Sequence, residues 1–346
     1  MTPVSTSFPK TMARPPLLAR RRPLLQWVGM GLCGLAMGVV GSSVQAQALG
    51  TEPFKIVAPF PPGGPIDTLA RMLANGLAER YKQTAVVENL PGAAGNIGMD
   101  KVKKAKPDGH TLLVIPAGNL TINPTLMPNF PFNVERDFTA VTMLATAPNV
   151  LVAHPGLKVK TARELIALAK AKPGTLAFAS PGVGSGLHLA GKLFNGQAGT
   201  DLLHVPYKGT GPALTDVLGG TVPLMFSNLP AVMGHIKSGK LVAIGITDSQ
   251  RSTSAPDIPT LAEQGVPGVV VTSWYSVLAP AGLPPALAEQ LAKDAAGILA
   301  TPSIREQLQA QSLTAVVMKP AAFATHMRAE TAQWAQIIKA KNIVAQ

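Results

Sequence analysis

Cysteine is almost missing from this chain of 346 residues: Cys33 is the only one, and it sits in the apolar part of a leading segment. The rest of the chain therefore has no thiol, which excludes disulfides, thiolate metal sites and cysteine catalysis together. Histidine is sparse as well. None of His110, His154, His188, His204, His235 and His326 forms an i, i+4 pair, and acidic residues do not gather around them, so no metal and no cofactor are expected. Aromatic residues make up 5% of the chain and no basic run is interleaved with them, which argues against nucleic acid as a partner. Long apolar runs are also lacking: Trp27 to Val40 is uncharged but falls short of the ~20 residues that span a bilayer.

What stands at the front is a targeting segment over residues 1–48. Arg14, Arg20, Arg21 and Arg22 form a basic stretch, the apolar core follows, and small residues come next at Ser42, Ser43, Ala46 and Ala48. This is the pattern of a cleaved export signal, with cleavage after Ala46 or after Ala48. Arg21-Arg22 is compatible with twin-arginine as well as general export, and Leu32 before Cys33 argues against a lipid anchor. Five of the 30 basic residues and none of the 18 acidic ones lie in this segment, leaving about +7 on the remainder. A positive field favours anionic ligands.

Beyond the signal, strand and helix patterns alternate. The apolar run Phe54–Ala58 breaks into Pro59-Phe60-Pro61-Pro62-Gly63-Gly64. A helical pattern follows, with Leu69, Met72, Leu73 and Leu77 on one face. Further strands are expected at 85–88, 111–115, 150–153, 175–179, 202–206, 222–226, 241–247, 273–279 and 314–317, with helices between them. Thr161 and Glu164 form a capping box for a helix over 162–171. The strands are apolar throughout, as in parallel sheets covered on both faces. The expected fold is α/β, with two lobes of the periplasmic-binding-protein type (type II), each a mostly parallel sheet flanked by helices, and a cleft between them. Residues 49–149 with 272–346 are assigned to the first lobe and 150–271 to the second.

Ligands of such sheets bind beyond the carboxyl ends of the strands, where four Gly-rich turns lie: Phe60 to Gly64, Pro116 to Asn119, Ser180 to Gly186, and Tyr207 to Gly211. Each alone could be ordinary βα punctuation. Four together, all following strands and three opening helices, offer free main-chain groups to an anion. The first has no lysine for a nucleoside triphosphate. Gly186 to Leu193 resembles a phosphate loop but has Leu193 where a hydroxyl is required, and Ser185 lacks the flanking glycines of a nucleophile elbow. Ser185 with His188 leaves a secreted hydrolase as an alternative. Asp67 is expected to cap the first helix while bracing Gly63 and Gly64.

Several stretches together resemble the receptors of tripartite tricarboxylate transporters, the Bug family. They are Pro59 to Gly64 with Asp67 and Ala70-Arg71, Glu88 to Gly98, Lys106 to Gly109, Gly184 to Gly191, His204 to Gly209, Pro212 to Gly220, and Leu278 to Gly282. The resemblance spans essentially all of the chain after the signal. It implies a monomeric periplasmic solute-binding protein that delivers a small carboxylate, aliphatic or aromatic, to a membrane permease of one large and one small subunit. On matching positions, Phe60, Pro61 and Gly63 would offer main-chain contacts from the first lobe, and Ala117 and Asn119 its wall. Ser180, Gly184, Ser185 and His188 would hold a carboxylate from the second, with Tyr207, Gly209 and Thr210 closing beside it. Ser227 stands where many relatives carry Asp, and His110 where Tyr is common. The missing charge at Ser227 points from amino acids toward plain or aromatic carboxylates. A sensor feeding a signalling partner is the other receptor-class alternative.

Overall fold

The computed structural model describes residues 49–345, so the export segment expected over 1–48 lies outside the described residues. Among the described residues eleven strands form two sheets. They are β1 (Phe54–Ala58), β2 (Ala85–Asn89), β3 (Thr111–Pro116), β4 (Phe138–Ala147), β5 (Asn149–Ala153), β6 (Ala177–Ser180), β7 (Leu203–Pro206), β8 (Leu224–Asn228), β9 (Val242–Ile246), β10 (Ser273–Pro280) and β11 (Thr314–Ala315). The first sheet runs β11-β4-β10-β3-β1-β2 and the second β7-β6-β8-β5-β9. β1 is parallel to β2 and β3, and β6 to β7 and β8. The parallel strands carry the Gly-rich turns. Antiparallel pairing enters with β4, β5 and β10, the strands that lead the chain from one sheet to the other. β4, ten residues long, is absent from the sequence-based series. Thr139, Thr142 and Thr146 break its apolar run, and it starts directly after the short helix Val134–Asp137.

Each sheet buries both faces, as the two-residue period of a strand requires. On the first, Phe54, Ile56, Leu112, Val114 and Val277 pack on helices Pro65–Tyr81 and Pro285–Ala300 through Leu69, Leu73, Leu287 and Leu291. Val57, Leu113, Ile115 and Leu278 face the other way, onto Met99, Val102 and Phe323. On the second, Leu151, Phe178, Leu224 and Phe226 meet Leu165, Leu193 and Phe194, while Val150, Val152 and Met225 meet Ala213, Val217 and Val232. The helices Pro65–Tyr81, Pro285–Ala300, Pro302–Ala310 and Pro320–Ala340 all start on proline, whose missing N–H costs nothing in a first turn. Thr161 Oγ1 accepts from the Glu164 amide, as the capping box requires. Among the described residues no helix is long and apolar enough to cross a membrane.

The sheets are joined by two strand crossings, β4 to β5 and β9 to β10, and by the terminal helix. Phe323 and Met327 of that helix pack in a core of the first sheet, and Trp334 and Ile338 in a core of the second. A buried polar network ties the crossings. Asn149 Nδ2 donates to the Val271 carbonyl at 2.8 Å, and its Oδ1 accepts from Asn228 Nδ2 at 2.7 Å and from Ser273 Oγ at 2.9 Å. Thr247 Oγ1 donates to the same Val271 carbonyl at 2.6 Å. Buried amides without such partners would cost about 1–3 kcal/mol each, so this network holds the crossings in one register.

Candidate ligand-binding site

The first turn is held from behind. Asp67 lies in the first turn of its helix, while Gly64 is the N-cap and no side chain caps that end. The expected capping role is therefore corrected: the carboxylate reaches back to the turn. Its Oδ2 accepts from the Gly63 amide at 3.1 Å and from Arg71 Nε at 3.0 Å. Its Oδ1 accepts from Asn89 Nδ2 at 3.1 Å and pairs with Arg71 Nη2 at 3.0 Å. Burial pushes this carboxyl up, but the hydrogen bonds from Arg71, Gly63 and Asn89 outweigh it and hold it below the usual range. Asn89 also fixes the Phe60 carbonyl at 3.2 Å. Both carboxylate oxygens are thus spent on the loop, and Asp67 shapes the site without facing it. Asp67→Asn replaces one acceptor by a donor opposite Gly63 or Arg71. It is expected to lower stability by about 1–2 kcal/mol, read as a shifted urea midpoint with an unchanged slope.

The second turn opens a π-helical turn, Gly118–Ile122. Ala117 and Asn119 are both buried. Asn119 Nδ2 donates to the Ala94 carbonyl at 2.7 Å, which ties this turn to the Pro91–Gly95 bend. Gly95 has φ +94° and sits against Asn119 and the Phe60 ring, leaving little room for a side chain. Phe60, Asn119 and Gly95 therefore form one packed unit.

The third turn winds around its own hydroxyls. Ser180 Oγ lies 3.2 Å from both the amide and the carbonyl of Gly182, and shares a 2.7 Å hydrogen bond with His204 Nε2. Ser185 caps the helix Gly186–Ala198: its Oγ accepts from the His188 amide at 3.1 Å and donates to the Gly182 carbonyl at 2.7 Å. His188 is fully buried, its Nδ1 accepts from the Gly184 amide at 3.4 Å, and its ring stacks on His204 with centroids 4.1 Å apart. Both rings are pushed below histidine's ordinary value: His188 to about 3, by burial and then by the charges of His204 and Lys192, and His204 to about 4, by burial and Lys192. They are neutral props at neutral pH. The fourth turn leans on the third, since the Tyr207 amide donates to the Ser180 carbonyl at 3.1 Å and the Gly209 amide to the Pro181 carbonyl at 3.0 Å. The Tyr207 hydroxyl donates to Asp216 Oδ2 at 2.6 Å, and Thr210 starts the helix Thr210–Leu218. Ser227 is buried in β8 opposite Val150, next to the crossing network.

Turns of the two sheets meet at three places. A Cβ built on Gly118 would stand 2.5 Å from the Gly184 carbonyl oxygen, and one on Gly184 would stand 1.9 Å from Asn123 Oδ1. A Cβ on Gly209 would lie 3.7 Å from Pro61 Cδ. The structure therefore brings Pro61 to Gly209, and Gly184 and Ser185 to Gly118, the neighbour of Ala117. It sets Asp67, Asn119, Ser180 and His188 behind them as supports. Gly118 and Asn123 are the residues that sequence reasoning missed. Gly118 lay inside a turn already noted, but its role depends on a contact 66 positions away in the chain.

Two α/β lobes joined by strand crossings, with Gly-rich turns of the two sheets set against each other, define a solute-binding protein of the periplasmic type. The comparisons agree. A family model described as "Tripartite tricarboxylate transporter family receptor" matches residues 69–343, and the chain belongs to that family. It is 38% identical over 306 residues to Protein BugT of Bordetella pertussis, covering 88% of this chain and 94% of that protein. Among solved structures, R. palustris Rpa4515 with adipate matches with a TM-score of 0.81 and 32% identity, over 84% of this chain and 98% of that one. MatC from Rhodopseudomonas palustris with bound malate matches with a TM-score of 0.77 and 29% identity, over 83% and 98%.

Proposed function

We propose that this chain is an exported receptor that captures a small carboxylate by closing its two lobes, then presents the closed form to a membrane permease of one large and one small subunit. The observation that carries this reading is the approach of Gly118 to Gly184, backbone to backbone, between turns that follow strands of different sheets. Glycine at these points lets main-chain groups of both lobes reach one ligand, and binding energy then favours the closed form over the open one. The hinge falls at the two crossings, near Asn149 and Thr272, so that residues 49–149 and 272–346 form one lobe and 150–271 the other, with the terminal helix spanning both.

In this reading Phe60, Pro61, Gly63 and Ala117 offer the first-lobe wall, and Gly184, Ser185, Gly209 and Thr210 the second. Asp67, Asn119, Ser180, His188 and Tyr207 hold those turns in shape, and Ser227 lies by the hinge. The bound adipate and malate of the two relatives support a carboxylate without an amino group, in line with Ser227 where an acidic residue could have received one. No chemistry is performed. Ser185 Oγ gives its hydrogen to Gly182 and the His188 ring takes one from Gly184, so the pair does not form a nucleophile and base. The protein works in the periplasm as a monomer, after cleavage behind Ala46 or Ala48.

A thermal-shift screen over adipate, malate, aromatic carboxylates and free amino acids tests this. A ligand at 100 times its dissociation constant stabilises by ~2.7 kcal/mol. A shift with a carboxylate that is recovered unchanged after incubation supports the reading, and tight binding of amino acids alone would sink it.

A further inference from the structure

The chain has three tryptophans, and Trp27 precedes the described residues. The other two converge on one carboxylate. Trp274 Nε1 donates to Glu330 Oε2 at 2.6 Å, and Trp334 Nε1 donates to Glu330 Oε1 at 3.0 Å. Thr121 Oγ1 lies 3.4 Å from Oε1, dividing its hydrogen with the Ala117 carbonyl, and His326 Nε2 lies 3.2 Å from Oε2. The Glu330 side chain is only 17% exposed. A carboxylate this buried is held in place by its donors, and these come from three parts of the molecule. Trp274 is in β10, just after the second crossing. Thr121 is in the π-helical turn that opens at Gly118. Trp334 is on the terminal helix itself.

The position of Glu330 along that helix adds the second observation. Met327, one turn before, packs in a first-lobe core. Trp334, one turn after, packs in a second-lobe core. Glu330 marks the point where the helix passes from one lobe to the other, and any relative rotation of the lobes must be taken up around it.

We propose that Glu330 is the positioning residue of the hinge, binding the ligand turn, the crossing strand and the bridging helix to one pivot and so setting the balance of open and closed forms. This rests on the closing-lobe reading above. The chemistry needs a carboxylate because two indole N–H groups require two acceptors. Glu330→Gln leaves one acceptor and sets an amide N–H against the other indole. Losing one hydrogen bond to a charged group changes the open-to-closed ratio about tenfold.

The near absence of thiols makes the test clean. In a Cys33→Ser background, exposed Glu289 on one lobe and exposed Lys237 on the other are changed to cysteine and spin-labelled, and the interlobe distance distribution is measured without ligand and with the carboxylate that the thermal-shift screen selects. Gly118→Ala in the same background reports whether the lobes can be wedged apart. The expected result is a longer ligand-bound distance in Gly118→Ala, and in ligand-free Glu330→Gln a broadened distribution whose minor population has grown about tenfold. If Gly118→Ala leaves the ligand-bound distance unchanged, the closing-lobe reading fails and this inference with it. If Gly118→Ala lengthens it while Glu330→Gln matches the parent, only the role of Glu330 is overturned. Trp334→Phe, which deletes one donor and keeps the ring packing, carries the same test should Glu330→Gln fail to fold.

Discussion

Gly118→Ala is expected to weaken ligand binding by about 10- to 100-fold while leaving the ligand-free melting temperature nearly unchanged, because overpacking a fitted contact costs about 1–3 kcal/mol. The new methyl would stand 2.5 Å from the Gly184 carbonyl oxygen and 3.3 Å from Ser185 Cα, both backbone atoms that cannot swing away as a side chain can. Alanine suits the helical backbone of the Gly118–Ile122 turn and meets nothing closer within its own lobe, so the penalty falls on the closed form alone. Gly234→Ala is the control. It lies inside the helix Leu229–Lys237 with nothing within 4 Å of a built Cβ, and it is expected to stabilise by about 0.5–1 kcal/mol without touching affinity. Calorimetric titration with the carboxylate selected by the thermal-shift screen reads the effect. Parent-like affinity in Gly118→Ala would mean that these turns do not meet in the bound form.

The contrast between Gly118 and Gly184 shows why the alanine belongs at 118. Gly184 has φ +77°, so a side chain there strains its own turn as well as striking Asn123. A loss of binding in Gly184→Ala would mix local strain with the block to closure. At Gly118 the two are separated, and the site is tested through the lobe that does not carry the strained turn.

Local chemistry was legible in the sequence, and juxtaposition was not. β1 and the helix 162–171 follow from an apolar run of strand length and from a capping box, both local signals, and the structure reproduces their bounds. The four turns were visible as Pro/Gly punctuation after strands. Which way their side chains point was not, because Asp67, Ser180 and His188 each satisfy a backbone amide of the turn they belong to or follow, and Asn119 a carbonyl of another bend. The Tyr207 hydroxyl is likewise taken by Asp216 on the next helix. Asn149 with Asn228, and Glu330 with Trp274 and Thr121, join residues 56 to 209 positions apart. An asparagine at the end of a strand or a glutamate in an amphipathic helix carries no mark of such a partner. β4 was missed for the reverse reason: its threonines break the apolar run, while in the fold Thr142 is fully buried, its hydroxyl donating to the Met318 carbonyl at 2.7 Å.

Acidification should destabilise the fold with a net uptake of about one proton between pH 6 and 4.5, or about 1.4 kcal/mol per pH unit, as the balance of buried His188 and half-buried His204 and Asp248. His188 and His204 have folded values near 3 and 4 against an ordinary 6.5. Below pH 6.5 the unfolded chain takes up protons that the folded chain refuses, so their contribution is complete above 6.5 and is lost as pH falls toward 4. Asp248 acts in the opposite sense. Burial pushes it up to about 6 from 3.8, against hydrogen bonds from Thr272 and the Asn149 backbone. Between these values the folded chain holds a proton that the unfolded chain has released, and the stability this gives at low pH is lost as pH rises through 6. Asp67 and Asp137, both lowered from 3.8, act beneath the window. Two histidines against one aspartate leave the single proton. Asp248→Asn removes the opposing group while its side-chain oxygen still accepts from Thr272. It should raise stability at pH 7 and steepen the acid slope toward about 2.7 kcal/mol per unit, since both histidines then act unopposed. Urea unfolding at pH 7, 6 and 5 measures both. A slope that stays the same in Asp248→Asn would show that this carboxyl is already ionised in the folded protein, and a flat profile in Asp248→Asn would show that the stacked rings beneath the third turn titrate as they do in the unfolded chain.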